Sequence, residues 1–598
     1  MQKPSLRPLR LVHVDSFRAE EDNTLEVGDE NVGKVRSKVG IDPRAVENTI
    51  HAISGALPSV PSYAVETDIP LGEAGAQHLL KRTPTNYLLN QAYGLWVYFS
   101  LFFLTLIITH KVSVEQYGIF AVASAAFNTI AYIVAFGLED ATTTFVPRVF
   151  AEHGKAAAAL LIRRLLALRI VTLVISVIIM LAGLPVLATI IAAIPISGSS
   201  GMAAGLRDPS LLGHIAPIAF YVLGNGIASL FTAVYASIMR MRLVFIAGSV
   251  AQLLILVFSF FLLQLGWSID SILWLEAICS LLNAAVLALW QAQLLLTRGA
   301  EYRQPMGPVV RLGISAWLTN LVSGALLKQV SIILLGYFAV SLAQIAFFNL
   351  SFQLAHAASL LLVSGFGGVG GAALAAAFVG KNYHRLGRSW QALIKIETLL
   401  AAPLLVFCLF NAQNIAVALY GTSFAAVGPL LAIFLFFNVI VRVLGTTIHQ
   451  STLYVMGKAR LVVLSQWIGL LVVIGIGIAL IPRWGPAGAL VADGISQVVT
   501  GGMLLAFLWR DLPEKYPLAF TLRLLLAFTI AAVPELVWHP AGHVLLVVSG
   551  LIFLFISISL LLLIRPLSFD DLEMIHSLNP LVAKYLKRFA RGKKGIQI

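Results

Sequence analysis

The stretch Arg460-LVVLSQWIGLLVVIGIGIALIPRWGPAGALVADGISQVVTGGMLLAFLW-Arg510 decides the fold. Leu461–Ile481 and Ala487–Leu508 are apolar runs of about twenty residues, each long enough to cross roughly 30 Å of hydrocarbon as a helix. Only Pro482-Arg483-Trp484-Gly485-Pro486 separates them, and its prolines and glycine stop one helix and start another. Lys458 and Arg460 flank the free end of the first run, and Arg510 flanks that of the second. A helix satisfies its own backbone polar groups, so two such runs joined by a short turn form a transmembrane hairpin.

The pattern extends along most of the chain. Of 598 residues, 59% are apolar and 12% charged, which excludes an ordinary soluble protein. The sequence predicts an all-α membrane protein with about fourteen spans. They lie near Leu88–Thr109, Gly118–Leu138, Leu166–Leu184, Ile215–Ile238, Leu243–Leu265, Ile269–Leu294 and Leu312–Phe338, then Ala343–Phe366, Leu393–Phe410, Val427–Gln450, Leu461–Ile481, Ala487–Leu508, Leu522–Val537 and Val544–Ile564. Thr143–Arg164 and Gly371–Ser389 are mixed in polarity and read as amphipathic segments at the interface. Residues 1–85 are polar, charged and without an apolar h-region, so they read as a disordered or regulatory tail and not as a signal peptide. Cys279 and Cys408 lie inside apolar runs and imply no disulfide.

Charge sets the expected orientation. With the N-terminal tail in the cytoplasm, inside loops hold Arg148, Lys155, Arg163, Arg164, Arg240, Arg242, Arg298, Arg303 and Arg311, then Lys381, Arg385, Arg388, Lys458, Arg460, Arg510, Lys515 and, at the very start of a span, Arg523. Outside loops hold only Lys111, Arg207 and Arg483. Both termini are therefore predicted to be cytoplasmic, in a plasma (inner) membrane. The basic tail Lys584–Lys594 beside the last span suits anionic headgroups and not nucleic acid.

The chain also resembles itself. Met241-Arg242-Leu243-Val244 recurs as Ala459-Arg460-Leu461-Val462, Trp267 as Trp484, Trp290 as Trp509, and Glu276 as Asp493; Glu115–Ala121 corresponds loosely to Ala343–Asn349. About six spans per copy, an even number, give both copies one orientation, an architecture of transporters with parallel repeats. The expected organisation is a first half over 86–296, a second over 297–510, an added helix pair over 511–566 and a basic tail over 567–598.

Val114-Glu115-Gln116-Tyr117-Gly118-Ile119-Phe120, then Phe136-Gly137-Leu138 and Val149-Phe150-Ala151-Glu152, resemble the polysaccharide-export branch of the MOP (multidrug/oligosaccharidyl-lipid/polysaccharide) superfamily. So do Leu334-Leu335-Gly336-Tyr337-Phe338 with Gln344-Ile345-Ala346, and Leu419-Tyr420-Gly421 with Met456-Gly457-Lys458-Ala459-Arg460 and Ile481–Ala489. The similarity covers roughly Leu88–Leu508 and concerns helix ends and turns. It implies a protein that flips a polyprenyl-pyrophosphate-linked oligosaccharide to the outer leaflet for cell-surface polysaccharide synthesis, such as lipopolysaccharide.

Charges deep in a membrane cost several kcal/mol and mark candidate sites. Lys328 and Arg442 lie well inside spans and suit a pyrophosphate. Asn438, Arg442, Gly445 and His449 share one helical face; Asn320 accompanies Lys328; Asn349, Gln353 and His356 form a third stripe. Amides and imidazoles suit sugar hydroxyls, and equally serve as bonds between packed helices. Glu276 and Asp493 are candidates for coupling to a proton or sodium ion, and Glu139-Asp140 for the same role or a solvated helix end.

Other chemistry is scarce. No GxxxxGK[ST] phosphate loop, CxxC or HExxH occurs, so no ATPase, metal or cofactor is expected. Gly365–Gly371 follows a span and reads as a helix break. A lipid II flippase or a multidrug/cation antiporter of the same superfamily is the nearest alternative. A membrane glycosyltransferase or polymerase would need clustered outer carboxylates, whereas Glu115, Asp208, Asp270 and Glu535 are scattered singly.

Overall fold

The computed structural model describes residues 73–183, 189, 213–321, 327–338, 340–361, 374, 377–378, 381–538, 540, 542–568, 572 and 587–589. Residues 1–72 of the N-terminal tail, the stretch Pro185–Leu212 apart from Thr189, all of Gly365–Gly371 and most of the basic C-terminal tail lie outside them.

All the regular elements among the described residues are helices. The first half comprises α1 (Glu73–Thr109), α2 (Val114–Ala135), α3 (Leu138–Ile178), α4 (Ile215–Ser237), α5 (Met241–Gln264) and α6 (Ile269–Leu295). The second comprises α7 (Met306–Asn320), α8 (Leu327–Tyr337), α9 (Leu342–Leu361), α10 (Tyr383–Phe410), α11 (Ala412–Tyr420), α12 (Val427–Leu444), α13 (Thr446–Val455), α14 (Ala459–Trp484) and α15 (Pro486–Asp511). After them come α16 (Leu518–Ala531), α17 (Val533–Val537) and α18 (His543–Ile564). Eleven of the described helices are long and apolar enough to cross a membrane. Each expected span overlaps one or more of these helices over its described residues.

Three expectations need correction. Thr143–Arg164 is not separate from the next span in sequence: both lie on α3, which kinks at Gly154 (φ 80°, ψ −178°). Alanines and long straight side chains around Gly154 keep both sides helical. The described part of Gly371–Ser389 likewise runs into α10 from Tyr383 onward, where Asn382 caps the helix by accepting from Arg385 N–H. The span expected over Leu312–Phe338 is described in two parts, α7 and α8, and residues 322–326 between them lie outside the described residues. That over Val427–Gln450 breaks at Gly445, whose φ of 77° is left-handed and ends α12.

The packing of the two halves follows one scheme. In the first, α4 packs on α2, α3 and α6, and α5 on α1. In the second, α12 packs on α9, α10 and α15, and α14 on α8. Small residues permit the close crossings: Gly224 lies against the Ser280–Leu281 backbone, and Ser496 donates to the Gly469 carbonyl at 2.6 Å. The backbone repeats as well, since Met239 (φ 56°) and Gly457 (φ 72°) turn left-handed just before α5 and α14 respectively. The halves meet where α2 packs on α9 and α3 on α7.

The C-terminal pair α16–α18 docks on α10. Phe407 packs on Phe553 at 5.5 Å, and the buried Glu535 carboxylate accepts from Asn411 Nδ2 at 3.0 Å and Ser549 Oγ at 2.5 Å. A carboxylate this deep is tolerated because both donors meet it.

Candidate functional site

A cavity of about 380 Å³ opens between α1, α2, α4, α5 and α6 of the first half and α8 and α9 of the second. It is built on a glycine floor: the Tyr93 ring lies directly over Gly248, where no Cβ would fit. Around it stand Tyr98, Tyr221, Ser124, Asn128, Asn225, Gln252, Ser280, Asn283, Gln329, Asn349, Gln353 and His356. Among the described lining residues the single formal charge is Glu276 on α6, whose side chain has no hydrogen bond or ion pair to a described residue. The wall is thus a ring of amides and phenols, able to donate and accept, with one carboxylate.

The stripe on α9 forms the second half's share of that wall. Asn349 Nδ2 donates to Tyr117 Oη at 3.2 Å, Thr105 Oγ1 donates to Gln353 Oε1 at 3.1 Å, and His356 stacks on Phe352 at 5.4 Å. Its polar groups therefore address α1, α2 and the cavity together.

The stripe on α12–α13 faces elsewhere. Arg442 donates from Nη1 to Glu397 Oε1 at 3.0 Å and to Thr447 Oγ1 at 3.2 Å, and from Nε to Ser359 Oγ at 2.9 Å. Glu397 and its neighbour Trp390, two turns earlier on α10, receive this stripe: Trp390 Nε1 donates to His449 Nδ1 at 3.0 Å. Asn438 bonds back to Phe434 O at 2.9 Å and lies 3.4 Å from Ser359. None of Arg442, Asn438 and His449 lines the cavity. The polar face read from the sequence exists, and its job here is to hold α12–α13 against α10 and α9.

Arg169 has a matching place in the first half. It is 2% exposed, and its guanidinium donates to Gly226 O, Val134 O, Ser229 Oγ and Glu139 Oε1, the last at 2.5 Å. Glu139 also accepts from Ser229 Oγ at 2.7 Å, so it is a partner of a buried arginine and not a solvated helix end. Asp140 follows it in the first turn of α3 with bonds of its own. Arg169 and Glu397 are separated by the same interval as the repeat partners Glu115 and Ala343. Equivalent positions on α3 and α10 thus carry buried charges of opposite sign, clamped to α4 and to α12 respectively.

Asp493 on α15 is buried beside the Ser331 hydroxyl of α8, and its Oδ2 has no hydrogen-bond partner among the described residues. It lies away from the cavity, while its repeat partner Glu276 lines it. The side chains of Asn320 and Lys328 lie outside the described residues; Lys328 immediately precedes the cavity-lining Gln329 on α8. Sequence reading missed Tyr93, Tyr221, Asn225, Gln252 and Asn283. The available signal was that each is a polar group inside an apolar span, the same criterion that had selected Asn349 and Gln353.

No family model matches the sequence, and no curated protein matches it. Solved structures do match. A structure titled "Lipid II flippase MurJ, inward closed conformation" superposes with a TM-score of 0.60 at 14% identity, over 78% of this chain and 97% of that one. An inward-facing MATE family multidrug resistance transporter of the MOP superfamily superposes with a TM-score of 0.55 at 15% identity, over 69% of this chain and 93% of that one. At such identities the likeness concerns the fold: this chain is built on the helical fold of the MOP-superfamily transporters.

Proposed function

We propose that this chain is a transporter, not an enzyme, that carries a polyprenyl-pyrophosphate-linked oligosaccharide between the leaflets of the plasma membrane by alternating access of its two halves. The observation that carries the reading is the cavity at the junction of the halves, walled by amides and phenols from both. Sugar hydroxyls need donors and acceptors that keep no net charge of their own, and this wall supplies them. The lipid tail stays in the bilayer beside the protein, so only the head group has to be enclosed. The pyrophosphate falls to Lys328, next to Gln329 on α8, since Arg442 is neutralised by Glu397. Glu276 is the cavity's coupling acid, and Asp493 its counterpart in the second half. Both termini face the cytoplasm in this scheme, and the added pair α16–α18 rides on α10.

One observation favours a second reading. Glu276 is the only charged side chain among the described lining residues, and a carboxylate facing phenols suits an organic cation. An antiporter of cations would use the same two halves.

Native mass spectrometry of gently extracted protein separates the readings. Wild type is compared with the Asn349→Ala, Gln353→Ala double variant. A polyprenyl-pyrophosphate glycan that co-purifies with wild type and is lost from the variant supports the flippase and names the sugar. A lipid II adduct would narrow it to that substrate. Absence of any such lipid, with organic cations raising thermal stability in wild type and not in Glu276→Gln, would replace it with the antiporter.

A further inference from the structure

The two halves close on each other at both ends of one helix, α2, and each closure is made by a glycine. At the α2–α3 turn, Phe136 (φ 45°) and Gly137 (φ 62°) are both left-handed. A Cβ on Gly137 would fall onto the Gly313 carbonyl of α7, and a Cβ on Gly313 would stand 3.1 Å from Phe136 O. Trp317, one turn beyond Gly313, stacks on Phe136 at 5.2 Å and donates from Nε1 to Tyr132 O at 3.0 Å. At the opposite end, a Cβ on Gly118 would fall onto the Leu342 carbonyl that opens α9. Behind it the fully buried Tyr117 accepts from Asn349 and packs edge-on against Phe424 at 6.3 Å.

The cavity lies between these two contacts, along the face of α2 that carries Ala121, Ser124, Ala125 and Asn128. We infer that Gly137–Gly313 and Gly118–Leu342 are the two gates of the transport cycle, with α2 the element that rocks between them. Backbone-to-backbone contact through glycine is what such a gate needs. It seals without side chains that must be repacked at each opening, and a single methyl group is enough to hold it ajar. The gates differ in thickness. Phe136 at the Gly137 end is 37% exposed, whereas Tyr117 at the Gly118 end is 0% exposed and backed by an aromatic cluster. The Gly137 gate is the thinner and opens more readily.

This inference rests on the transport reading, but its test needs no substrate and survives an error in the substrate's identity. Cys279 lines the cavity, and Cys408 is the only other cysteine, so Cys408→Ser leaves one native reporter. In sealed vesicles of each orientation, a membrane-impermeant maleimide is added and the rate of Cys279 labelling measured. A gate that opens in 0.1–10% of molecules becomes mainly open when wedged, so labelling should rise roughly tenfold or more. Gly313→Val is expected to raise it only from the face on which Gly137 lies, and Gly118→Val only from the opposite face. A second reporter, Ala357→Cys on the α9 wall in a cysteine-free background, repeats the measurement independently of Cys279 reactivity. Gel filtration and melting curves confirm that the variants are folded. Labelling unchanged at both reporters in folded variants, or raised equally from both faces, overturns the assignment.

Discussion

Arg442 and Glu276 are both deep charges, and their surroundings give them opposite roles. Arg442 meets a carboxylate that is 1% exposed and two hydroxyls, so its energy is bound up in the packing of α9, α10 and α12. Breaking a buried pair by removing one partner leaves the other charge uncompensated, at a cost of about 3–5 kcal/mol, whereas replacing both by apolar groups of similar volume is near neutral. Arg442→Ala should therefore lower stability by that amount, and Glu397→Leu with Arg442→Met should recover most of it in thermal unfolding of the purified protein. If the single variant melts like wild type, the arginine is not the clamp described. Glu276 has no described partner to lose. Glu276→Gln keeps its shape, so unfolding should shift by less than about 1 kcal/mol, while the dependence of transport on a proton or sodium gradient disappears. A melting shift as large as that of Arg442→Ala would make Glu276 a structural residue.

At the scale of elements, what the sequence carried was period and punctuation. Twenty-residue apolar runs located the eleven candidate spans, and the turn at 482–486 placed the α14–α15 boundary within three residues of its observed position, α14 running through Pro482 to Trp484. What it could not carry was the direction in which a polar face points. Asn438, Arg442 and His449 on one hand, and Asn349, Gln353 and His356 on the other, are equally good stripes by spacing. Only packing shows that the first meets α10 and the second meets the cavity. Gly445 was read as a small member of a continuous face, yet a glycine in a helix interior and a glycine ending a helix look alike until φ is known. Its Cβ would approach Ile394 to 2.9 Å, and its φ of 77° penalises any L side chain by about 1–2 kcal/mol. Gly445→Ala should thus destabilise by at least that amount and draw Thr447 away from Arg442. An unchanged melting temperature would show that α12 and α13 join into one straight helix without cost.

Across the whole molecule, the decisive question is how many times the chain crosses. Eleven candidate spans qualify among the described residues, α12 and α13 counting together as one, and α7, α8, α9 and α16 do not. At 1.5 Å per residue, the described parts α7 and α8 span about 22 Å and about 16 Å, each short of roughly 30 Å of hydrocarbon, while the two in series exceed it. They are expected to make one crossing together, because α8 packs on α14 as α1 packs on α5, in the place the repeat assigns to a first helix. The basic residues agree: Arg298 and Arg303 precede α7, Arg311 lies in its second turn, and no Lys or Arg lies between Tyr337 and the start of α9. A single cysteine at Arg298 and another at Val340 should therefore react with impermeant maleimide from opposite faces of a sealed vesicle. Reaction from the same face would make α7–α8 a re-entrant pair. The second half would then be inverted relative to the first, and Lys381, Arg385, Arg388, Lys458 and Arg460 would move to the face that otherwise holds only Lys111, Arg207 and Arg483. That arrangement would forfeit the charge asymmetry entirely, which is why opposite faces are expected.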